Sequence, residues 1–368
     1  MSTNDRALAA VMPGQGAEVT LQELPLPELE PNSALMRVEF SEVCGTDVYL
    51  RDSLLAGVPY PIIPGHVSVG VIDKLRGQMV DANGRAFSEG DRVTFLDVHG
   101  TCHECWHCTV AKASTRCPHR KVYGITYGVD DGLTGGWCDY LYLKPGVRVI
   151  SMDGVDSHTY MAGGCSLPTA LHAVERADIN LGDTVLILGA GPVGLSAIGF
   201  SVLRGAARVL CIGAPAHRLE IAQAMGATAT LDFTSCDMAA RMDWVMSQTH
   251  GRGADVTIEC TGAPSAVTQS MQFTRDAGHV CVVGQYTDHG EVAFNPHLDL
   301  NKKHLDVVGC WGSDYSHFHR GVDILRMEAA KQIWSAVKLE SYNLSQTNEA
   351  LAAVERGDTV KALITPTK

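Results

Sequence analysis

Thr184-Val-Leu-Ile-Leu-Gly-Ala-Gly-Pro-Val-Gly-Leu-Ser-Ala-Ile-Gly-Phe-Ser-Val-Leu203 decides how the central part of this chain folds. A short apolar run suited to a buried strand leads directly into Gly189, Gly191 and Gly194, and an apolar, helix-like stretch follows from Leu195 to Leu203. Glycines at this spacing between a strand and a helix suit a dinucleotide. The first permits the tight turn, the second lets the backbone approach a pyrophosphate, and the third lets helix pack closely on strand, with the helix N-terminus facing the phosphate charge. Pro192 and Val193, at the start of the helix, are counted with the three glycines as cofactor contacts.

Outward from this fingerprint, the runs Val185–Leu188, Arg208–Ile212, Asp255–Glu259 and His279–Val283 alternate with helical stretches. Buried parallel strands with crossover helices produce that alternation, so a doubly wound α/β domain is expected. Gly262 and Gly284 follow two of these strands, where open α/β sheets bind ligands, although ordinary loop glycines read equally well. A site for NAD usually carries an acidic residue about 20 positions beyond the fingerprint. Here the second strand ends instead at Gly213. Without an acidic group to repel the extra phosphate, and with His217 and Arg218 following, the expectation tips slightly toward NADP over NAD. Arg218 also suits a surface residue or one stacked on adenine.

Before about residue 160 the pattern differs. Segments such as Ala34–Phe40, Ser68–Ile72, Asp91–Phe95 and Trp137–Leu143 are short, β-rich and punctuated by Gly and Pro, which predicts a twisted, barrel-like β domain. The tail ends in a predicted helix, Asn348–Arg356, and a last strand, Val360–Ile364, expected to rejoin the first domain.

Four cysteines, Cys102, Cys105, Cys108 and Cys117, crowd one short loop. Two-residue gaps let neighbouring thiolates turn toward one tetrahedral Zn²⁺, and four protein ligands close the site, so this zinc is expected to be structural. Catalysis needs an open coordination position. Cys44, His66 and Cys165 offer two thiolates and an imidazole, a three-ligand set of that kind, although each residue taken alone also suits an ordinary core position.

In combination, Cys44-Gly-Thr46-Asp47, Gly65-His66, the four-cysteine loop and the glycine fingerprint resemble, in this order, the zinc-dependent medium-chain dehydrogenases, the alcohol and polyol dehydrogenase superfamily. The resemblance spans essentially the whole chain. It implies a GroES-like β-barrel catalytic domain with an inserted Rossmann domain, the active site lying in the cleft between them. The expected parts are residues 1–163 and 313–368 for the catalytic domain and 164–312 for the nucleotide domain. By the same resemblance Cys44, His66 and Cys165 hold catalytic zinc, Asp47 orients His66, Thr46 contacts the substrate oxygen and starts its proton relay, and Thr169 touches nicotinamide. The implied reaction interconverts an alcohol, secondary, cyclic or polyol-like, with its carbonyl by hydride transfer. Two zinc ions per subunit, NAD or NADP, and a homodimer or homotetramer complete the implication. The chain departs from the family at Val67, where Glu often follows the Gly-His pair, and at Tyr49, where His often ends the proton relay. Tyr49 or water is then the expected exit for the proton.

Composition bounds the alternatives. An apolar fraction of 45% over 368 residues describes a globular chain with ample core, and a net charge of −12 argues against nucleic acid or an anionic membrane as partner. The first residues lack the basic start and apolar run of a signal peptide, so a cytoplasmic protein with reduced thiols is expected. Two rivals remain: a nucleotide-binding member of this fold without catalysis, and a redox or metal sensor that uses the cysteine loop as its switch.

Overall fold

The computed structural model describes residues 5–366, which divide into two compact units. The first unit comprises the chain up to Cys165, Asp314–Val322 and the chain from Lys338 onward; the second comprises Ser166–Ser313 and Asp323–Val337. Among the described residues no helix is long and apolar enough to cross a membrane.

The first unit is built on a seven-stranded sheet in the order Leu339–Asn343, Lys361–Thr365, Ser33–Val43, Ser68–Arg76, Arg92–Phe95 and Val149–Ser151, with Tyr140–Leu143 also pairing with Ser33–Val43. All pairings are antiparallel except that between Leu339–Asn343 and Lys361–Thr365. The tail therefore rejoins the first domain through Ala362–Ile364 beside Ser41–Val43. Two apolar clusters fill this unit, one around Val43, Leu50, Ile62 and Trp137, the other around Met36, Val93, Phe95 and Tyr123. Trp137 and Tyr123 are fully buried and Tyr127 nearly so, which makes them core residues.

In the second unit six strands are all parallel, in the order Ala229–Asp232, Arg208–Gly213, Thr184–Leu188, Ala254–Glu259, Thr274–Val282 and Asp306–Gly309. In chain order this is 3-2-1-4-5-6, the Rossmann arrangement, with its topological switch at the strand that leads into the glycine turn. Helix Pro192–Leu203 is apolar on nearly all sides because it is enclosed, with Leu195, Ala197, Ile198 and Phe200 buried. Part of its cover comes from beyond the expected boundary at residue 312. Trp334, at the end of helix Glu328–Trp334, lies against Phe200 with ring centroids 4.9 Å apart, which is why Asp323–Val337 belongs with this unit rather than with the tail.

Candidate metal centres and nucleotide site

Strand Ser33–Val43 delivers Cys44 at its end, where the residue becomes the N-cap of helix Gly45–Arg51. Asp47, in the first turn of that helix, reaches back so that its Oδ2 accepts the Cys44 N–H at 2.8 Å. Its other oxygen, Oδ1, stands 3.9 Å from His66 Nδ1, and Asp47 is fully buried. The ring is thereby aimed. Nδ1 faces the carboxylate, and Nε2 lies 3.8 Å from Cys44 Sγ.

Cys165 enters from the other end of this unit's chain, after helix Ser157–Gly163 and the bend at Gly164. One ligand atom each from Cys44, His66 and Cys165 lies within 4.8 Å of the other two. Bond lengths of about 2.3 Å for sulfur and about 2.0 Å for imidazole put ligand atoms of a tetrahedral zinc roughly 3.5–3.8 Å apart, so the trio fits a three-ligand site. Without a metal the trio shares its protons unequally, and zinc would have to displace those on Cys165 and His66. A hydrogen bond from Cys165 brings the Cys44 thiol down to about 7 against the opposing effect of burial, while Cys165, as the donor, is pushed well up. Burial alone would lower His66, but Cys44 and Asp47 outweigh it and hold the imidazole well above its ordinary value.

The four-cysteine loop reaches a similar geometry from a single segment. Cys105 Sγ lies 3.5 Å from Cys108 Sγ and 4.0 Å from Cys117 Sγ, and Cys117 Sγ lies 3.6 Å from Cys102 Sγ. These spacings bracket the edge of a tetrahedron with bonds of about 2.3 Å. Backbone amides of Glu104 and Cys105 draw the Cys102 thiol down to about 6, favouring the thiolate a metal requires. His103 and Lys112 adopt positive φ to make the turns, and Trp106 beside them is 63% exposed.

In the second unit Gly189 has φ of +106°, and a Cβ on Gly194 would stand 1.9 Å from Gly189 O, so the third glycine is demanded by contact between helix and turn. Gly191, the N-cap of Pro192–Leu203, differs, since a Cβ there would meet nothing within 4 Å. The open space lies before the first-turn N–H groups, which have no intrahelical partner, and it fits a cofactor phosphate. Gly213 is required by a close approach, because its Cβ would come 2.6 Å from Ala190 Cβ and 2.9 Å from Ala190 N. The residue paired with it on the neighbouring strand, Asp232, uses its carboxylate to accept from Thr234 N and Oγ1. Arg218 is half-buried on helix Ala216–Ala224, with His217 exposed beside it.

Gly262 and Gly284 approach each other at the C-terminal ends of adjacent strands. A Cβ on Gly284 would stand 2.5 Å from Gly262 N, and buried Glu259 accepts the N–H groups of Thr261, Gly262 and Gly284 through its two oxygens. Their small size is thus required within the protein itself. Thr46 and Tyr49 are both half-buried, three residues apart on helix Gly45–Arg51 and so on one face. Thr169 is half-buried on helix Ser166–Arg176. Trp311, 36% exposed, stacks on Tyr286 at an interplanar angle of 13°.

Sequence reading missed three charged residues around the catalytic-type cluster. Val67 carries no carboxylate, yet Glu42, whose N–H bonds Val67 O at 2.9 Å, brings one to Cys165 and pairs with Lys361. The available signal was Lys361, the one charge in the strand Lys361–Thr365, whereas Glu42 shares its strand with Arg37 and Glu39 and does not stand out. Burial holds the Asp97 carboxyl above its ordinary range, against the opposing charges of His66 and Arg120.

Comparison with known proteins agrees with this geometry. A family model described as zinc-binding dehydrogenase matches residues 192–326, and one described as the alcohol dehydrogenase GroES-like domain matches residues 30–154. The chain is 28% identical over 369 residues to 5-exo-hydroxycamphor dehydrogenase of Pseudomonas putida, covering 98% of this chain and 99% of that one. Erythritol/L-threitol dehydrogenase of Mycolicibacterium smegmatis is 30% identical over 312 residues, 79% of this chain and 81% of the relative. The crystal structure of an alcohol dehydrogenase from Thermotoga maritima superposes with a TM-score of 0.93 at 30% identity, covering 98% of this chain and 100% of that one.

Proposed function

The chain belongs to the zinc-binding medium-chain alcohol dehydrogenase family, and from that premise we propose that it interconverts a secondary alcohol, cyclic or polyol-like, with its ketone, using NADP in preference to NAD. The observation that carries this reading is the convergence of Cys44, His66 and Cys165 with the Asp47 carboxylate behind the imidazole. When bound, zinc supplies a Lewis acid that favours loss of the substrate hydroxyl proton, and the nicotinamide supplies the hydride acceptor. Three protein ligands leave a fourth position for the substrate oxygen.

The chain's own residues account for the remaining steps. Asp47 holds His66 in one orientation and one tautomer, which raises its strength as a ligand. The Thr46 hydroxyl takes the substrate hydroxyl proton as it hands its own proton on, to Tyr49 on the same helix face or to water. Thr169 positions the nicotinamide. The first turn of Pro192–Leu203 binds the pyrophosphate, the close contact at Gly213 excludes an acidic side chain there, and Arg218 neutralises the added phosphate of NADP. The substrate class is supported by the hydroxycamphor and erythritol named for two relatives. Assembly as a homodimer or homotetramer belongs to the same reading and is checked by sedimentation.

The experiment is a panel of primary, secondary, cyclic and polyhydroxy alcohols with both cofactors, on enzyme of known zinc content. Turnover concentrated on secondary alcohols, with higher kcat/KM for NADP, is expected. No interconversion of oxidised and reduced nicotinamide with any alcohol or carbonyl, at full zinc occupancy, would overturn the reading.

A further inference from the structure

We propose that the buried Glu42–Lys361 ion pair retains the metal at the Cys44–His66–Cys165 site by fixing the turn that presents Cys165, an inference that rests on reading that site as a zinc centre. Glu42 and Lys361 are each only 1% exposed. Taking two charges out of water is costly, and a well-packed apolar pair of similar volume is often as stable or more so, so fold stability alone is a weak reason for such a pair.

Its contacts point to a more specific task. Glu42 Oε2 accepts the Cys165 N–H at 2.7 Å, and Oε1 stands 3.5 Å from Cys165 Sγ while receiving Lys361 Nζ. Lys361 Nζ also donates to Gly163 O at 2.9 Å. The pair therefore grips the backbone on both sides of Gly164. That glycine has φ of +51°, and a Cβ there would stand 2.1 Å from Glu42 Oε2 and 2.8 Å from Lys361 Nζ, so the turn is closed onto the pair with no room for a side chain. Trp137 Nε1, donating to Glu42 O at 3.0 Å, fixes the strand from which the carboxylate projects.

Each ligand of the site consequently has a carboxylate behind it. Asp47 takes the Cys44 amide and faces the His66 ring, and Glu42, two residues before Cys44, takes the Cys165 amide. A carboxylate so near a sulfur that must be anionic to bind metal would repel it, and the Lys361 ammonium supplies the compensating charge. Glu42 and Lys361 are positioning residues, acting through Cys165.

The test uses the full-length protein loaded with zinc and challenged with excess chelator. Release from the four-cysteine loop serves as an internal reference within the same molecule. Outer partners of metal ligands typically change affinity by roughly 10–100-fold, and Glu42→Gln is expected to speed release from the Cys44–His66–Cys165 site by that order while the reference phase is unchanged. After cobalt substitution, the thiolate charge-transfer band of that site is expected to change as well. A folded Glu42→Gln protein that melts earlier but releases both metals at wild-type rates would overturn the proposal. If Glu42→Gln does not fold, the double variant Glu42→Gln, Lys361→Met, which removes both charges, is read the same way. Selective release supports the proposal, and an unchanged rate overturns it. Failure of both variants to fold would assign the pair to fold stability and overturn it too. A wild-type protein that takes up metal only in the four-cysteine loop would instead refute the zinc reading on which the inference rests.

Discussion

The loop from Cys102 to Cys117 gathers four thiols from one short stretch near the surface, whereas Cys44, His66 and Cys165 come from separate elements of the first unit and meet in its interior. Loop thiols are held mainly by local turns and backbone amides, such as the Cys105 N–H on Cys102 Sγ at 3.3 Å. The interior trio is held by the fold, through Asp47, Glu42 and Lys361. A site organised by its own loop depends on metal for its shape, while a site organised by its scaffold can leave a coordination position open. Ligand count and ligand origin thus set the candidate structural centre apart from the candidate catalytic one within the same unit.

The largest effect should come from the loop. Structural zinc can be linked to folding free energy on the order of 10 kcal/mol. Cys105→Ser is therefore expected to remove one zinc and lower the melting temperature of the first unit sharply in calorimetry, while the second unit's transition is retained. An unchanged melting profile would break the contrast. Cys44→Ser should behave in the opposite way, with a modest change in melting but a loss in kcat/KM of about 10³-fold, since Lewis-acid stabilisation is worth several kcal/mol and each 1.36 kcal/mol is tenfold. Near-wild-type turnover after loss of that zinc would contradict the division of roles.

A smaller effect is expected at the support of the reactive site. Asp47→Asn should lower zinc affinity or kcat/KM by roughly 10–100-fold, with the four-cysteine zinc retained, as measured by competitive chelation. Equal weakening of both sites would mean that Asp47 stabilises the unit as a whole. Smallest is a change in the second unit. For the partly exposed Arg218 a charge-assisted hydrogen bond is taken at the low end of its range, about 1.5 kcal/mol, so Arg218→Ala should shift the NADP to NAD ratio of kcat/KM by about tenfold. A ratio that does not move would remove Arg218 from phosphate recognition.

Much of this was legible in the residues because the governing constraints are local. The glycine fingerprint is read from a strand and helix adjacent in sequence, and the contacts at Gly189 and Gly194 explain its spacing. The four-cysteine loop is local as well, and only its sulfur separations needed the structure. By contrast, the convergence of Cys44, His66 and Cys165 followed from resemblance, since periodicity does not say which strand ends meet. Glu42 and Lys361 escaped for the same reason, because a charge in a strand reveals its partner only when the strands pair, here Leu363 beside Glu42. Residues 323–337, expected with the tail, group by contacts with the second unit, where Trp334 lies against Phe200, far upstream in sequence. Gly262 and Gly284 had two open readings, and their mutual contact supplies a packing reason for both.

The division of labour between the two centres is tested most directly by following zinc content and turnover together while a chelator strips the wild-type protein. Two zinc ions per chain should leave in separable phases, with activity falling in step with the zinc whose phase is absent from Cys44→Ser. Activity that instead followed the phase missing from Cys105→Ser, or that survived removal of both metals, would contradict the assignment of the chemistry to Cys44, His66 and Cys165.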